Sequence, residues 1–448
     1  MSIVPKPDQF VSAAGNVAHK LLYGGLADLR PMPRTLIDEG ELREVYHYRP
    51  AASAREHGDP VLLVTPLAAP ALCFDLRRGC SLVEHFVDAG RPTYLVEYGE
   101  VSFRNRALGI EHWVEEVVPT AIVEVSKHAG GRPVHLVGWS LGGIFALLSA
   151  ADRPDLPIAS ITVVGSPIDV TQVPLVAPLR PLLNLTDGRV LTPVYQLLGG
   201  APKPLVKWAF QLSSFQKLVT RPLAVASHLD DADFLAQLEA VDRFTDNMIA
   251  YPGRSFGQLY HRFVRTNVLN TGRYELADRT VDLSAIRVPV LVFAGSTDGI
   301  APVNAVKAVV PLLTGSPEVR FEIVPGGHLG MLTGRAARGT TWRVLDEWVG
   351  QWSTPEEPPA RQTPAGRTPA GKPPAKKAAA KKAPAKQAAR KAASKAPAEK
   401  PAAGKAAAKK PSATRRATPA EPAEPSTDTI GSNPSRRYGS SGSRSFAR

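Results

Sequence analysis

The stretch Val134-His135-Leu136-Val137-Gly138-Trp139-Ser140-Leu141-Gly142-Gly143 decides the fold. Val134–Trp139 is a short apolar run of strand length, and Leu141–Asp152 continues with a helical pattern. Between them lies Gly-x-Ser-x-Gly, formed by Gly138, Ser140 and Gly142. A serine between a strand and a helix sits on a sharp, strained turn, with its hydroxyl pointing away from the sheet. The two glycines leave room for close backbone approach. The N–H of Leu141, at the start of the helix, can face a developing oxyanion.

Working outward, comparable runs occur at Pro60–Thr65, Thr93–Tyr98, Ser160–Val164, Val288–Ala294 and Val319–Val324. They are short, rich in Val, Ile and Leu, and mostly bounded by Gly or Pro, as suits strands covered on both faces. Helical patterns at Ile110–His128, Leu141–Asp152 and Ala336–Trp352 lie among or after them. The alternation predicts an α/β doubly wound fold with a mostly parallel sheet, its core split between 59–170 and 286–352. It breaks over 171–285, Pro-rich at first and then helical and aromatic (Trp208, Phe210, Phe215, Phe234, Phe244, Tyr251). So long an insertion needs packing of its own and reads as a helical cap. Residues 1–58 read as a helical segment. Its helix runs over 8–28, with Asp8 as N-cap and Phe10, Ala13, Val17, Leu21 and Ala27 near one face. That face is expected to dock on the body rather than touch lipid, because the polar face is not strongly basic.

Charge divides the chain sharply. Of the 448 residues, those from Ser353 to Arg448 hold 21 Lys/Arg against 6 Asp/Glu, a net of +15. Residues 1–352 hold 33 against 35, a net of −2, which argues against a uniformly basic nucleic-acid binder. Residues 353–429 contain no large apolar side chain, so a disordered, Ala/Pro/Lys-rich tail is expected. Two cysteines, Cys73 and Cys80, are too few for a disulfide framework and read as inert thiols. No metal-ligand spacing or phosphate-binding glycine motif is present, so neither metal nor organic cofactor is expected. With no signal-peptide order and no long apolar run, the expected location is the cytoplasm.

A serine hydroxyl is a weak nucleophile and needs a base, and the base an orienting acid. Gly295-Ser296-Thr297-Asp298-Gly299 ends a strand run and offers a carboxylate there. Pro325-Gly326-Gly327-His328-Leu329-Gly330 follows the last run and puts His328 on a loop. The order Ser140, Asp298, His328 is that of α/β-hydrolases. Asp169, in Gly165-Ser166-Pro167-Ile168-Asp169, is the rival carboxylate. A second oxyanion donor is expected after Pro60–Thr65. Pro66 has no N–H, which leaves that of Leu67. His85, His112, His128 and His135 read as packing or surface residues.

Several stretches, in this order, resemble the polyhydroxyalkanoate synthases and their relatives within the α/β-hydrolase superfamily. Pro60-Val61-Leu62-Leu63-Val64 precedes Phe74-Asp75-Leu76-Arg77-Arg78-Gly79-Cys80-Ser81-Leu82-Val83. Gly90-Arg91-Pro92-Thr93-Tyr94-Leu95-Val96-Glu97-Tyr98-Gly99 is similar to that family's G-x-x-x-Y-L-x-D-W-G strand. Gly165–Asp169 is similar to its T-P-x-D turn, and Gly326–Gly330 runs on to Thr340-Thr341-Trp342 much as its C-terminal end does. The resemblance covers roughly 59–350. It implies a cysteine where this chain has Ser140. A thioester intermediate is activated for transfer to a hydroxyl, whereas a serine ester suits hydrolysis by water. Glu97 and Tyr98 replace an Asp and a Trp of the family pattern.

Three functions compete on these grounds. The first is a serine esterase or lipase-like hydrolase of acyl esters or thioesters. The second is a synthase-like acyltransferase using a hydroxyacyl-CoA. The third is a non-catalytic granule or nucleoid tether. The tail is similar to basic tails of bacterial histone-like and phasin-type granule proteins. Its ligand would be a polyanion: DNA, anionic lipid or a granule surface. Self-association or a second subunit is a further expectation from the resemblance.

Overall fold

The computed structural model describes residues 7–50, 55–174, 176, 193, 197–213 and 215–355. The tail from 356 onward and much of the Pro-rich start of the cap lie outside the described residues.

The six apolar runs form β3 (Val61–Val64), β4 (Thr93–Glu97), β5 (Val134–Trp139), β6 (Ile158–Val164), β11 (Val290–Gly295) and β12 (Val319–Val324). Two further strands, β1 (Arg34–Gly40) and β2 (Arg43–Tyr48), complete one eight-stranded sheet of order β1-β2-β4-β3-β5-β6-β11-β12. β1, β2 and β4 pair antiparallel, and every other neighbour is parallel. The α/β doubly wound expectation therefore holds.

Side-chain alternation builds two cores. Leu62, Val64, Leu136, Val290 and Val292 face one side, while Val61, Leu63, Val137, Leu291 and Phe293 face the other. On the first side lie α3 (Val118–His128), preceded by a π-helical turn His112–Val117, and α4 (Leu141–Asp152). On the second lie α2 (Leu82–Asp88) and the C-terminal helix Thr341–Trp352, anchored by Trp348. Helix α4 is buried on every side from Leu141 to Ala151, which its continuous apolar sequence permits.

Residues 1–58 differ from the helical segment expected of them. Helix α1 spans Pro7–Tyr23, so Asp8 lies within its first turn, and the segment also contributes β1 and β2. β1 is an edge strand of mixed polar sequence and partial exposure, so it carries no apolar run to announce it. The apolar side chains of α1 do not dock: Phe10 is 64% exposed and Leu21 81%. Polar groups hold the helix instead. Gln9 Nε2 donates to Asp230 Oδ2 at 2.9 Å, and Asn16 Nδ2 to the Leu229 carbonyl at 2.8 Å.

The described part of the inserted region is mostly helical, with α5 (Lys203–Ser213), α6 (Phe215–Ser227), α7 (Ala232–Asp246) and α8 (Gly253–Gln258). Two small ribbons accompany them. One pairs β7 (Gly200–Ala201) with β8 (Tyr251–Pro252), the other β9 (Arg273–Glu275) with β10 (Thr280–Asp282). Arg77 fastens α7 to the body, donating to Asp233 Oδ1 at 2.7 Å and Gln237 Oε1 at 2.9 Å. Among the described residues no helix is long and apolar enough to cross a membrane.

Candidate active site

Ser140 alone makes the turn from β5 to α4. Its backbone, at φ 52° and ψ −120°, is in a region that costs an L-residue about 1–3 kcal/mol. The surroundings over-determine this conformation. Ser140 N donates to the Val164 carbonyl at 2.8 Å, and Ser166 Oγ donates to the Ser140 carbonyl at 2.6 Å. A Cβ on Gly138 would come within 2.5 Å of Gly143 Cα, and one on Gly142 within 2.2 Å of the Val64 carbonyl oxygen. One on Gly143 would meet Ser166 Oγ at 2.2 Å. The sequence reading found Gly138 and Gly142. It missed the roles of Gly143 and Ser166, which depend on a contact made only in the folded chain.

His328 lies on the loop after β12, as its glycines indicated. Its Nδ1 is 2.8 Å from Asp298 Oδ2. The other carboxylate oxygen, Oδ1, accepts the N–H groups of Ile300 at 2.8 Å and Ala301 at 2.9 Å. Asp298 is thus fixed by the backbone and cannot turn away from the ring. With Nδ1 directed at a carboxylate, the tautomer that protonates Nδ1 leaves the Nε2 lone pair as the basic site. The Trp139 ring packs on His328 with centroids 5.0 Å apart, and Trp139 Nε1 donates to the His328 carbonyl at 3.0 Å. A Cβ on Gly165 would lie 3.3 Å from His328 Nδ1. Bonded neighbours of Ser140 and of Ser166 therefore both border the imidazole.

Asp169, the rival, is engaged elsewhere. Its Oδ1 accepts from Thr171 N at 3.0 Å, Thr171 Oγ1 at 2.6 Å and Asn267 Nδ2 at 2.9 Å. Burial pushes its pKa up, but these hydrogen bonds outweigh it and hold the group below the usual carboxylate range.

The chain after β3 packs against the start of α4, where Gly142 meets Val64 and Thr65. Leu67 and Leu141 are both buried in the same cluster. The next residue, Ala68, has φ 67°, and its carbonyl accepts from Ile249 N of the cap at 2.8 Å. Tyr98 Oη donates to the Thr65 carbonyl at 2.6 Å. Burial pushes that phenol's pKa well up, so it stays a donor. The Leu141 N–H lies in the first helical turn, where no intrahelical acceptor exists.

Aromatic rings of the cap pack on Trp139, the ring that borders His328. Phe244 contacts Trp139 at 6.0 Å between centroids and Phe210 at 5.7 Å. Cys73 and Cys80 are free, buried thiols whose pKa values burial pushes up, in keeping with inert residues. Among the described residues no three His, Cys, Asp or Glu side chains gather as metal ligands do.

Comparison with known proteins shows the family. The alpha/beta hydrolase family pattern matches residues 46–339. The chain is 23% identical over 339 residues to the poly(3-hydroxyalkanoate) polymerase subunit PhaC of Allochromatium vinosum, covering 75% of this chain and 94% of that one. With the corresponding subunit of Thiocystis violacea it is 21% identical over 343 residues, covering 76% and 95%. Among solved structures, alpha/beta hydrolase domain-containing protein 10 from mouse aligns with a TM-score of 0.42 at 14% identity, covering 71% of this chain and 99% of that one. Sheet order, a serine turn after β5 and a family match over most of the body converge on one assignment: the chain is an enzyme of the alpha/beta hydrolase family, similar to the polyhydroxyalkanoate synthases.

Proposed function

We propose that this enzyme cleaves acyl esters or thioesters through a covalent acyl-serine. Ser140 Oγ attacks the acyl carbonyl while His328 Nε2 takes its proton, and Asp298 stabilises the imidazolium that forms. The N–H groups of Leu141 and Leu67 receive the negative charge on the carbonyl oxygen. His328 then returns the proton to the leaving group, and water resolves the acyl-enzyme by the same path in reverse. The observation that carries this reading is the buried Asp298–His328 pair, 2.8 Å apart, bordered by the residue preceding Ser140. The aromatic cluster of Trp139, Phe244 and Phe210 suits an acyl chain. Hydrolysis of medium-chain p-nitrophenyl esters, abolished in Ser140→Ala, is the expected behaviour. No turnover of any chain length by folded protein contradicts it.

Transfer of the acyl group to a hydroxyl, from a hydroxyacyl-CoA, is the second reading. The polymerases among the relatives favour it, and Ser140 in place of a cysteine disfavours it. Release of CoA with a polymer or acyl-acceptor product distinguishes the two.

The cationic tail is proposed to tether the enzyme to a polyanionic surface by counterion release. Binding to anionic vesicles or DNA that falls steeply with salt, and is lost on deleting 356–448, is the expected result. Unchanged binding after that deletion contradicts it.

A further inference from the structure

A cavity of about 510 Å³ opens at the base of the cap, and none of Ser140, Asp298 and His328 lines it. Its lining includes Arg106, Arg254, His261 and Arg262, together with Gly199 and Gly253. Arg106 comes from the turn Phe103–Ala107 after β4. Arg254, His261 and Arg262 come from α8 and its π-helical continuation Leu259–Arg265.

The pocket is built rather than incidental. Ser255 N and Oγ both donate to the Leu108 carbonyl, at 3.1 and 2.8 Å. Gln258 Oε1 accepts from Ile110 N at 2.6 Å, and its Nε2 donates to Glu111 Oε1 at 2.6 Å. A Cβ on Gly253 would lie 3.1 Å from the Gly199 carbonyl oxygen and 3.2 Å from that of Arg106. Glycine there lets three segments close on one another.

The charge is unbalanced. Glu111, nearly buried, is the carboxylate paired with this set, 3.4 Å from Arg254 and 3.9 Å from Arg262. Among the described residues, three guanidiniums thus line this cavity against one carboxylate. Arg106 spends its contacts on the Phe103 carbonyl and ring, Arg262 also donates to the Glu275 carbonyl and lies over the Tyr274 ring, and Arg254 is half exposed. Each guanidinium carries five N–H donors in a rigid fork, so donors remain for an incoming group. An added carboxylate would neutralise only half of the excess. A phosphate ester or diphosphate brings about two or more negative charges and several acceptor oxygens, which matches both the charge and the forks.

The pocket also lies within reach of the serine turn. Ile249, whose N–H bonds the Ala68 carbonyl, is four residues from Gly253, a span of at most about 14 Å.

We propose that this pocket binds the phosphate of a phosphate ester through Arg106, Arg254 and Arg262. The phosphate would belong either to the leaving group of an acyl thioester or to a free nucleotide. The assignment goes beyond the serine chemistry and does not depend on it.

Calorimetric titration of the full chain with pyrophosphate and with ADP tests it. Wild type, Ser140→Ala, Arg106→Gln and Arg254→Gln are compared in one buffer, so the tail contributes equally to all four. Wild type and Ser140→Ala should bind alike, and each arginine variant about tenfold more weakly. Arg106→Gln removes an exposed side chain held by Phe103, so its fold should persist, and thermal melting of both variants checks this. Equal binding by wild type and folded Arg106→Gln and Arg254→Gln overturns the proposal. Two results support it and identify the source. ADP that raises KM for an acyl thioester but not for a p-nitrophenyl ester marks a leaving-group site. ADP that alters kcat for both marks a free-nucleotide site.

Discussion

Asp298 Oδ2 lies 2.8 Å from His328 Nδ1, and the two side chains are almost wholly shut off from solvent. Removing the carboxylate charge therefore leaves the ring without its tautomeric guide. Asp298→Asn should lower kcat on a soluble ester by about 10³–10⁴-fold with little change in folding. Asp169→Asn should leave kcat within about threefold, since that carboxylate serves Thr171 and Asn267. Comparable losses in the two variants would refute the choice of acid.

The serine turn depends on close backbone contacts. Gly143→Ala would push a methyl to within 2.2 Å of Ser166 Oγ, the donor to the Ser140 carbonyl. A stability loss of about 1–3 kcal/mol is expected, with a fall in kcat. Ser166→Ala, which removes only the hydrogen bond, should cost about 1 kcal/mol. Denaturant midpoints measured beside ester turnover separate the two effects.

His135, buried at the start of β5, bonds Ser160 Oγ at 2.8 Å and Ser353 Oγ at 3.1 Å. Burial lowers its pKa to about 4. In the unfolded chain the ring titrates near the ordinary histidine value of about 6.5. Above that pH it is neutral in both states and adds no pH dependence. As pH falls from about 6.5 towards 4, only the unfolded chain takes up the proton, so stability is lost across that window. At pH 4.5 the loss should be about 2–3 kcal/mol, and His135→Asn should remove most of this slope in urea titrations.

Thr354 N donates to Asp59 Oδ2 at 2.6 Å, and Ser353 meets Arg91 and His135. These partners precede or begin β3, β4 and β5, at the end of the sheet opposite Ser140. Deleting 356–448 should therefore leave kcat/KM on a soluble ester unchanged while shifting the isoelectric point to neutral or below. A substantial loss of turnover would show that the tail takes part in the reaction.

Much of this was legible because burial leaves a mark on sequence. Strands covered on both faces are largely apolar, so β3 to β6 and β11 stood out, and the edge strand β12 was legible from its spaced Val, Phe and Ile despite Arg320 and Glu322. Glycines around Ser140 and His328 marked turns where side chains do not fit. What stayed hidden lacked that mark. β1 is a half-exposed edge strand with no apolar run, and α1 is held by Gln9 and Asn16 rather than by its apolar face. Arg106, Arg254 and Arg262 meet only after folding, since some 150 residues separate the first from the others. Ser166 acts through a hydroxyl whose partner is a backbone carbonyl, a role that any short polar residue in a turn can conceal.

The central claim is that Ser140 is an activated nucleophile. Labelling the folded, full-length enzyme with a fluorophosphonate and mapping the adduct by peptide mass spectrometry tests it most directly. Stoichiometric modification of Ser140, abolished in Ser140→Ala and strongly slowed in His328→Ala and Asp298→Asn, is the predicted result. Absence of an adduct on Ser140, or labelling at a rate indifferent to His328, would contradict it.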